Sequence, residues 1–231
     1  MYAKFFKRLI DFILSLTALS VLLPVFLILI AVGAVAMKGN PFFFQPRPGK
    51  KDRNGEEKIF KLIKFRTMSN AKDKNGNLLP DEQRLNKYGA FLRSSSLDEL
   101  PELINILIGD MSVVGPRPQL VRDMTFMTEE QRRRHNVRPG LTGLAQINGR
   151  NNITWEQKFE YDLEYIDKGI TFIGDIKIIL GTVGKVLKRS DTVREGTVSD
   201  MDFGDWLITQ GKVDRDTYDK KQAEAKELLN V

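Results

Sequence analysis

One long apolar run near the start of the chain constrains the fold more than any other feature. Residues 9 to 37 contain a single charged side chain, Asp11, in twenty-nine positions. As a helix, this run would be about 43 Å long, whereas the hydrocarbon core of a bilayer is roughly 30 Å thick. A cleaved signal peptide has an apolar core of only about 7 to 15 residues. The run therefore predicts a membrane segment that remains part of the protein.

Two features of the run bear on its topology. Pro24 stands at its middle, where proline removes a helical hydrogen bond and clashes with the preceding turn. Basic residues, which mark the cytoplasmic side of a membrane segment, flank both of its ends. We therefore predict a re-entrant helix-break-helix hairpin over residues 1–38, with Pro24 as its hinge, that enters and leaves through one leaflet. A tilted single-pass helix that tolerates its proline is the alternative.

The composition excludes several classes of chemistry. The chain has no cysteine and one histidine, so disulfides, thiolate zinc sites, iron–sulfur clusters and two-histidine zinc motifs are all excluded. Any covalent catalysis must use an oxygen nucleophile or a lysine. Unless the histidine lies at the active site, carboxylates and water must handle the protons.

Charge divides the chain behind the apolar run into two parts. The 36 Lys and Arg residues exceed the 30 Asp and Glu residues, which gives a net charge of +6. Residues 39–195 form a basic body, whereas residues 196–231 form an acidic tail of unknown role. A basic body beside a membrane anchor suits anionic headgroups, a polyprenyl phosphate or a nucleotide diphosphate. Nucleic acid is not expected as a partner, because no pattern of a nucleic-acid module is visible.

Patterning predicts an α/β body that is mostly helical with a small sheet. Residues 59–68 have the β-branched and aromatic content of a strand. Residues 94–107 read as the start of a helix, with apolar positions three and four apart. Residues 165–190 form a basic amphipathic pattern that fits a helix lying in the membrane interface, and equally a helix facing the core.

The segment Ser96-Leu97-Asp98-Glu99 has two interpretations. In the first it caps a helix, with either Ser96 or Asp98 as the N-cap; Asp98 better accommodates Pro101 within the first turn. In the second it is catalytic: one carboxylate attacks phosphorus and its neighbour helps to hold a divalent cation. Both carboxylates would lie at the positive end of the helix dipole.

Arginines follow where a phosphate site would need them. Arg117 lies between two prolines, which stiffen its backbone. Residues 138 to 150 contain Arg138 and Arg150 together with three glycines, which permit tight turns and close backbone approach. Because the guanidinium fork binds phosphate at two points, these residues jointly indicate a pyrophosphate site. Singly, each is more typical of a surface ion pair or a turn than of a phosphate site.

Long ordered blocks make the sequence similar to a known family. It resembles the bacterial sugar transferases, small monotopic polyprenyl-phosphate phosphoglycosyl transferases, over about residues 2 to 195. Within that family the likeness is greatest to members that transfer phospho-diacetylbacillosamine. Besides the Pro-containing apolar run, the matching motifs are FFFQPRPG at 42 to 49, KFRTM at 64 to 68, RSSSLDELPELINILIGDMSVVGPRP at 93 to 118, and VRPGLTGLAQINGR at 137 to 150.

This resemblance implies a two-step, ping-pong transfer catalysed by residues 39–195 at the cytoplasmic leaflet of the inner membrane. Asp98 would attack the β-phosphate of a UDP-sugar, and undecaprenyl phosphate would then take the sugar phosphate from Asp98. The sugar would be an N-acetylated amino sugar. Glu99 falls on the second member of the family's acidic pair, and Asp98 and Glu99 would hold Mg²⁺. The substrate-binding positions implied by motif are Lys64, Arg93, Arg117, Arg138, Gln146 and Arg150.

Two departures limit the resemblance, and a second function stays open. Leu23 precedes Pro24 where relatives often have serine, so a bend there must depend on proline and packing. The tail from residue 196 matches no family motif, and it could be an acidic capping helix, a lid, a sugar-specificity element or a docking site. The alternative function is a noncatalytic membrane scaffold that binds anionic lipid or polymer.

Overall fold

A computed structural model describes residues 1–149, 153–187 and 201–229. Within these ranges the predicted mixed fold is confirmed as mostly helical with two small sheets. The helices are α1 (Phe6–Ala36), α2 (Asp81–Arg84), α3 (Lys87–Ser95), α4 (Glu102–Ile108), α5 (Val121–Met124), α6 (Glu129–Arg132), α7 (Leu144–Ile147), α8 (Trp155–Asp167), α9 (Phe172–Leu187), α10 (Phe203–Thr209) and α11 (Arg215–Leu229). The strands are β1 (Phe42–Lys51), β2 (Glu57–Phe65), β3 (Ser112–Val114) and β4 (Gly140–Thr142).

The apolar run forms one helix, α1, which is long and apolar enough to cross a membrane, with a mean hydropathy of 2.8. The predicted break at Pro24 is absent from its secondary structure, because the helix is continuous through that residue. Leu19 and Phe26, on either side of the proline, both pack on the body and hold the two halves in place. A proline in a membrane helix costs little when neighbouring contacts compensate for its lost hydrogen bond.

Both ends of α1 are fastened to the same body. Near its start, Arg8 donates to the carbonyl oxygens of Ile106 and Leu107 at 2.5 and 2.8 Å. Near its end, the Asn86 side chain donates to the carbonyl of Ala36 at 3.2 Å. Both ends of α1 therefore pack on one body, and α1 is a continuous helix rather than the predicted helix-break-helix hairpin. Its topology in a membrane stays a prediction.

One stripe of α1 faces the body along the whole helix. Its buried residues are Asp11, Ser15, Leu29 and Gly33, which share one face at helical spacing. Asp11 accepts hydrogen bonds from the Ser112 hydroxyl at 2.7 Å and from the backbone of Val113 at 3.0 Å. The other faces of α1 expose large apolar side chains, among them Phe12, Ile13, Leu16, Val21, Leu23, Leu27, Ile28 and Val32. An exposed apolar surface of this extent is typical of contact with lipid.

Strand β2 confirms the strand predicted at residues 59–68 and pairs with β1 as an antiparallel hairpin. The outer edge of β2 is covered by α4. The Asn105 side chain accepts from the backbone N–H of Ile63 at 3.0 Å and donates to the carbonyl of Lys61 at 2.9 Å. Asn105 thereby satisfies two edge groups that a free strand would expose. This contact fixes the end of β2 beside the start of α4.

The predicted helix at residues 94–107 is instead two helices joined by a turn. Ser96 ends α3 in the left-handed conformation, with φ of 56°. Residues Leu97–Glu99 form a 3-10 turn, and α4 begins only at Glu102 with Pro101 as its N-cap. Neither Ser96 nor Asp98 is therefore the N-cap of α4, and Ser96 precedes the 3-10 turn without a side-chain cap hydrogen bond. Pro101 lacks an N–H donor, so it is best accommodated where a helix begins.

Two short parallel strands bring the loop of Arg117 beside the glycine-rich segment. Strand β3 pairs with β4, and the backbone N–H of Gly140 donates to the carbonyl of Pro116 at 2.9 Å. A Cβ atom at Gly140 would lie 2.1 Å from the Gly115 nitrogen, so a larger residue is excluded. The close backbone approach expected of these glycines is confirmed.

Helix α9 exposes its apolar face, which favours the interfacial interpretation over the core-facing one. Its first half lies beside the start of α1, where Lys7 pairs with the buried Asp175 at 2.6 Å and Tyr2 contacts Phe172 edge to face. Its exposed apolar residues are Phe172, Ile173, Ile176, Leu180 and Val183. The face of α9 therefore extends the exposed apolar surface of α1, as expected for a helix at a membrane surface.

The C-terminal helices pack against the body. Phe203 and Leu207 of α10 share a buried cluster with Met127, Trp155 and Phe159. The predicted boundary between body and tail at residues 195 and 196 lies outside the described residues. The two helices beyond it bury apolar surface against α5 and α8, so they form a packed module.

Candidate active site

The turn Leu97–Glu99 carries two neighbouring carboxylates, those of Asp98 and Glu99, and it packs on a hydrophobic cluster. Leu97 and Leu100, which flank them, pack against a cluster that includes Phe65 and Leu92. Leu29 of α1 belongs to the same cluster. The membrane helix therefore supports the turn directly, and the carboxylates lie next to the segment that would enter the bilayer.

Glu99 is held by two cations. Its Oε1 atom lies 2.9 Å from Lys64 Nζ and accepts a hydrogen bond from Arg117 Nη2 at 2.5 Å. Burial opposes the ionisation of Glu99, but the positive charges of Arg117 and Lys64 outweigh it and lower the pKa of its carboxyl group. Glu99 is therefore a fixed and weakly basic carboxylate.

Asp98 lies in a different environment from its neighbour. Among the described residues its carboxylate forms no hydrogen bond or ion pair. Burial, followed by repulsion from Glu99, raises the pKa of Asp98 to about 6. A carboxylate with a raised pKa is more basic and so a better nucleophile once ionised. Adjacent carboxylates whose pKa values are pushed apart can take separate chemical roles, and this environment fits the predicted nucleophilic role of Asp98.

Glu102 is a third carboxylate at this site, and we did not predict it. Its side chain is 2% exposed and its Oε1 atom lies 3.0 Å from Lys64 Nζ. Burial, together with the charge of Glu99, raises the pKa of Glu102. Lys64 remains cationic, because attraction to Glu99 and Glu102 outweighs the effect of burial and raises its pKa. The signal that could have found Glu102 is its spacing, three residues after Glu99, which often places side chains on one face.

The structure brings three of the predicted basic residues to the acidic pair. Lys64 and Arg117 contact Glu99 directly, and the charge of Arg93 acts on Asp98. Arg93 is further oriented by Thr67, whose hydroxyl oxygen lies 3.1 Å from its Nε atom. The Arg117 side chain is 41% exposed, so it presents donors to a ligand as well as to Glu99.

The remaining predicted residues lie elsewhere or outside the described ranges. Arg138 donates from Nε to the carbonyl of Gly109 at 2.8 Å, at the end of α4 opposite to the carboxylates. Gln146 of α7 is buried, and its amide has no hydrogen-bond partner among the described residues. Arg150 falls outside the described residues. The structure therefore does not bring Arg138 to the acidic pair.

Two arginines that we did not predict, the buried Arg134 and the half-buried Arg47, hold the backbone of the Arg117 loop. Arg134 donates from Nη2 to the carbonyl of Arg117 at 2.6 Å, and Asp162 pairs with Arg134 at the same distance. Arg47 donates from Nη1 to the carbonyl of Pro118 at 3.1 Å. Arg47 lies in the family motif at residues 42 to 49. The motif could have marked Arg47 as a candidate, but it did not indicate that Arg47 holds the Arg117 loop.

The acidic pair fits a shared magnesium ion. Among the described residues, no group of three or more acidic or histidine side chains is placed to hold a metal ion alone. Mg²⁺ commonly uses only one or two carboxylates and takes its other ligands from phosphate and water. The carboxylate of Asp98 and the Oε2 atom of Glu99 form no hydrogen bonds within the described ranges. These oxygens are a suitable donor set for an ion shared with a diphosphate.

Comparison with known proteins identifies the chain as a transferase. A family model described as bacterial sugar transferase matches residues 2–189. The protein belongs to the bacterial sugar transferase family, and the resemblance drawn from its motifs is confirmed at the family level.

Named relatives support this family assignment. The uncharacterised sugar transferase EpsL of Bacillus subtilis is 49% identical over 181 residues, which cover 78% of this chain and 87% of EpsL. UDP-glucose:undecaprenyl-phosphate glucose-1-phosphate transferase of Klebsiella pneumoniae is 41% identical, over 78% of this chain and 40% of that enzyme. UDP-galactose-lipid carrier transferase of Erwinia amylovora is 33% identical, over 81% of this chain and 41% of that protein. The chain thus spans less than half of the latter two, and their names do not identify the diacetylbacillosamine subgroup.

Proposed function

We propose that this protein transfers a sugar 1-phosphate from a UDP-sugar to undecaprenyl phosphate, which yields undecaprenyl diphosphate-sugar and UMP. The observation that carries the proposal is the unequal acidic pair: Glu99 is bound by Lys64 and Arg117, whereas the adjoining Asp98 has no ion-pair partner among the described residues and a raised pKa. The names of the Klebsiella and Erwinia relatives support a nucleotide-sugar donor and a lipid carrier.

In the first step an Asp98 oxygen attacks the β-phosphorus of the UDP-sugar. The bond between this phosphorus and the oxygen bridging to the α-phosphate breaks, so UMP leaves and the sugar phosphate remains on Asp98 as an acyl phosphate. The reaction depends mainly on positioning and on stabilisation of the charge on the phosphoryl oxygens. Arg117 and Arg93, which lie next to the pair, supply positive charge for this purpose.

In the second step a phosphate oxygen of undecaprenyl phosphate attacks the same phosphorus. The bond to Asp98 breaks, the carboxylate is regenerated and undecaprenyl diphosphate-sugar leaves. The support for a lipid acceptor is the location of Asp98, whose flanking leucines pack with Leu29 of the membrane helix. The phosphate of a lipid can therefore reach the site while its chain stays in the bilayer.

Mg²⁺ is proposed as the metal ion, held by Asp98 and Glu99 together with the diphosphate. When bound, it would offset negative charge on the phosphoryl oxygens. Lys64 and Arg117 hold the other oxygen of Glu99 and so keep this carboxylate oriented.

We also propose that α1 is re-entrant and that the catalytic body faces the cytoplasm. Because the chain has no native cysteine, single cysteines can report the topology. We expect Ala3→Cys and Asn40→Cys to react with a membrane-impermeant maleimide in inverted inner-membrane vesicles but not in intact cells. Ser20→Cys, at the exposed middle of α1, is the matched control and should be shielded by lipid in both preparations. Labelling of residues 3 and 40 from opposite faces would establish a spanning helix.

The donor sugar is proposed to be an N-acetylated amino sugar, as the resemblance implies. The names of the Klebsiella and Erwinia relatives specify glucose and galactose. The test must therefore include UDP-glucose and UDP-galactose as well. A panel of UDP-glucose, UDP-galactose, UDP-N-acetylglucosamine, UDP-N-acetylgalactosamine and UDP-diacetylbacillosamine covers the alternatives.

The assay that tests the function is UMP release. We expect the full-length protein in lipid nanodiscs, with Mg²⁺ and undecaprenyl phosphate, to release UMP from at least one member of this panel. A UDP-sugar without the lipid acceptor should give at most one UMP per enzyme molecule, because the aspartyl adduct then has no acceptor. If no donor in the panel releases UMP, the noncatalytic scaffold becomes the better explanation.

A further inference from the structure

The C-terminal helices pack beside the loop that carries Arg117, although the family match ends at residue 189. Gly204 of α10 lies against the ring of Phe126, and a Cβ atom there would be 2.6 Å from the Phe126 Cε2 atom. Tyr218 of α11 contacts the same ring, with 5.5 Å between ring centroids. The module of α10 and α11 is therefore seated on α5 and the residues after it, which directly follow the Arg117 loop.

Asp123 links this module to the loop. Its side chain is 2% exposed. The Oδ1 atom accepts a hydrogen bond from the backbone N–H of Phe203 at 2.9 Å, and Oδ2 accepts one from the backbone N–H of Leu120 at 3.2 Å. One carboxylate thus holds the first residue of α10 and the end of the Arg117 loop. A buried carboxylate is costly to leave without partners, so the two contacts depend on each other.

The chain of contacts continues from Asp123 to Arg117. The positive charge of Arg47 lies near enough to Asp123 to favour its ionised form, and Arg47 donates to the carbonyl of Pro118, the residue next to Arg117. An ion pair between Arg122 and Asp202 joins α5 to the C-terminal module a second time. The loop is therefore held on one side by the body, through Arg134, and on the other by groups that face the C-terminal module.

We propose that the C-terminal module positions Arg117 through Asp123, which makes Asp123 a positioning residue for the first phosphoryl transfer. This inference rests on the proposed function. The Arg117 side chain is 41% exposed and meets Glu99 at 2.5 Å, so its placement depends on its backbone as well as on this ion pair. A displacement of about 1 Å at a reacting site can slow catalysis by about 100-fold.

A purely stabilising cap over the cluster of Trp155 and Phe159 is the competing role for the module. The module offers a matched control, because it also contacts α8 away from the Arg117 loop. There Lys212 pairs with Glu156 at 2.5 Å and lies over the ring of Trp206. Loss of this contact loosens the module without touching α5.

The test compares Gly204→Val and Asp123→Ala with Lys212→Ala in the full-length protein. Valine at position 204 forces α10 away from Phe126 and leaves Asp123 and Arg47 intact. We expect Gly204→Val and Asp123→Ala to lower kcat for UMP release about tenfold while KM for the best UDP-sugar of the panel changes less than about twofold. Hydrogen exchange at residues 115–120 should become faster in both variants. Lys212→Ala should change neither measurement.

The competing outcomes are distinct. If all three variants lower the melting temperature but leave kcat and the exchange at residues 115–120 unchanged, the module is only a stabilising cap and the inference is wrong. Asp123→Ala leaves two buried N–H groups unpaired and could prevent folding. If Asp123→Ala does not fold, Gly204→Val alone decides the test. If the wild type releases no UMP, the proposed function is wrong. Hydrogen exchange at residues 115–120 in Gly204→Val would still show whether the module positions the Arg117 loop.

Discussion

Asp98→Asn is expected to abolish UMP release, with a loss of at least about 10³-fold in kcat. The amide has nearly the same shape, but its neutral oxygen is a much weaker nucleophile than a carboxylate oxygen, so we expect no acyl phosphate to form. Mass spectrometry of the wild type, incubated with a UDP-sugar and no lipid acceptor, should show a sugar phosphate on the peptide that contains Asp98. The same peptide of the variant should remain unmodified.

The matched control is Asp110→Asn, which changes an aspartate on the other side of α4. Asp110 pairs with the exposed Lys58 at 3.1 Å and has no contact with the acidic pair. We expect this variant to keep activity within about twofold, since a surface ion pair contributes little. Undiminished UMP release from Asp98→Asn would exclude Asp98 as the nucleophile and leave Glu99 or Glu102 to be tested.

Loss of Arg117 should have the second largest effect. Within the described ranges, Arg117 and Lys64 are the cations in direct contact with Glu99. Arg117→Ala leaves three clustered carboxylates with weaker compensation and removes a phosphate-binding fork. We expect kcat/KM to fall about 10³-fold, which is the size seen when an arginine that stabilises a phosphoryl-transfer transition state is removed.

Arg117→Lys tests whether the positive charge at position 117 is sufficient for activity or whether the planar guanidinium group is also needed. Lysine restores the positive charge but not the planar fork, so we expect it to recover only part of the activity, with a residual loss of about tenfold or more. Arg133→Ala is the control, because Arg133 pairs with Glu130 and Asp167 on the surface. Equal activity of Arg117→Ala and wild type would show that the contact with Glu99 has no catalytic role.

The sequence predicted those parts of the structure that local pattern and motif determine. The apolar run predicted α1, the β-branched stretch predicted β2, and the motif blocks indicated Asp98, Glu99, Lys64 and Arg117, which the fold brings together. Lys64 is 35 residues from Glu99 in the chain. Only the motif resemblance, not spacing, could indicate that they meet.

What the sequence could not provide depends on tertiary contacts. Periodicity predicted one helix at residues 94–107, because the apolar spacing continues across the turn, whereas Pro101 and the left-handed Ser96 divide it. Ion pairs such as Arg134 with Asp162 join distant elements and leave no local signature. The lone histidine is another example, since His135 is buried with its Nδ1 atom 3.2 Å from Glu57.

The attachment of α1 at both ends has a consequence for how such an enzyme meets its substrates. Since the same helix supports the turn of Asp98 and would contact lipid, the height of Asp98 above a bilayer would be set by folding rather than by a flexible tether. An unrelated transmembrane anchor fused to the body would bring it to the membrane but would leave Leu97 and Leu100 without their partner. Membrane attachment and support of the acidic pair would therefore depend on the same packed helix.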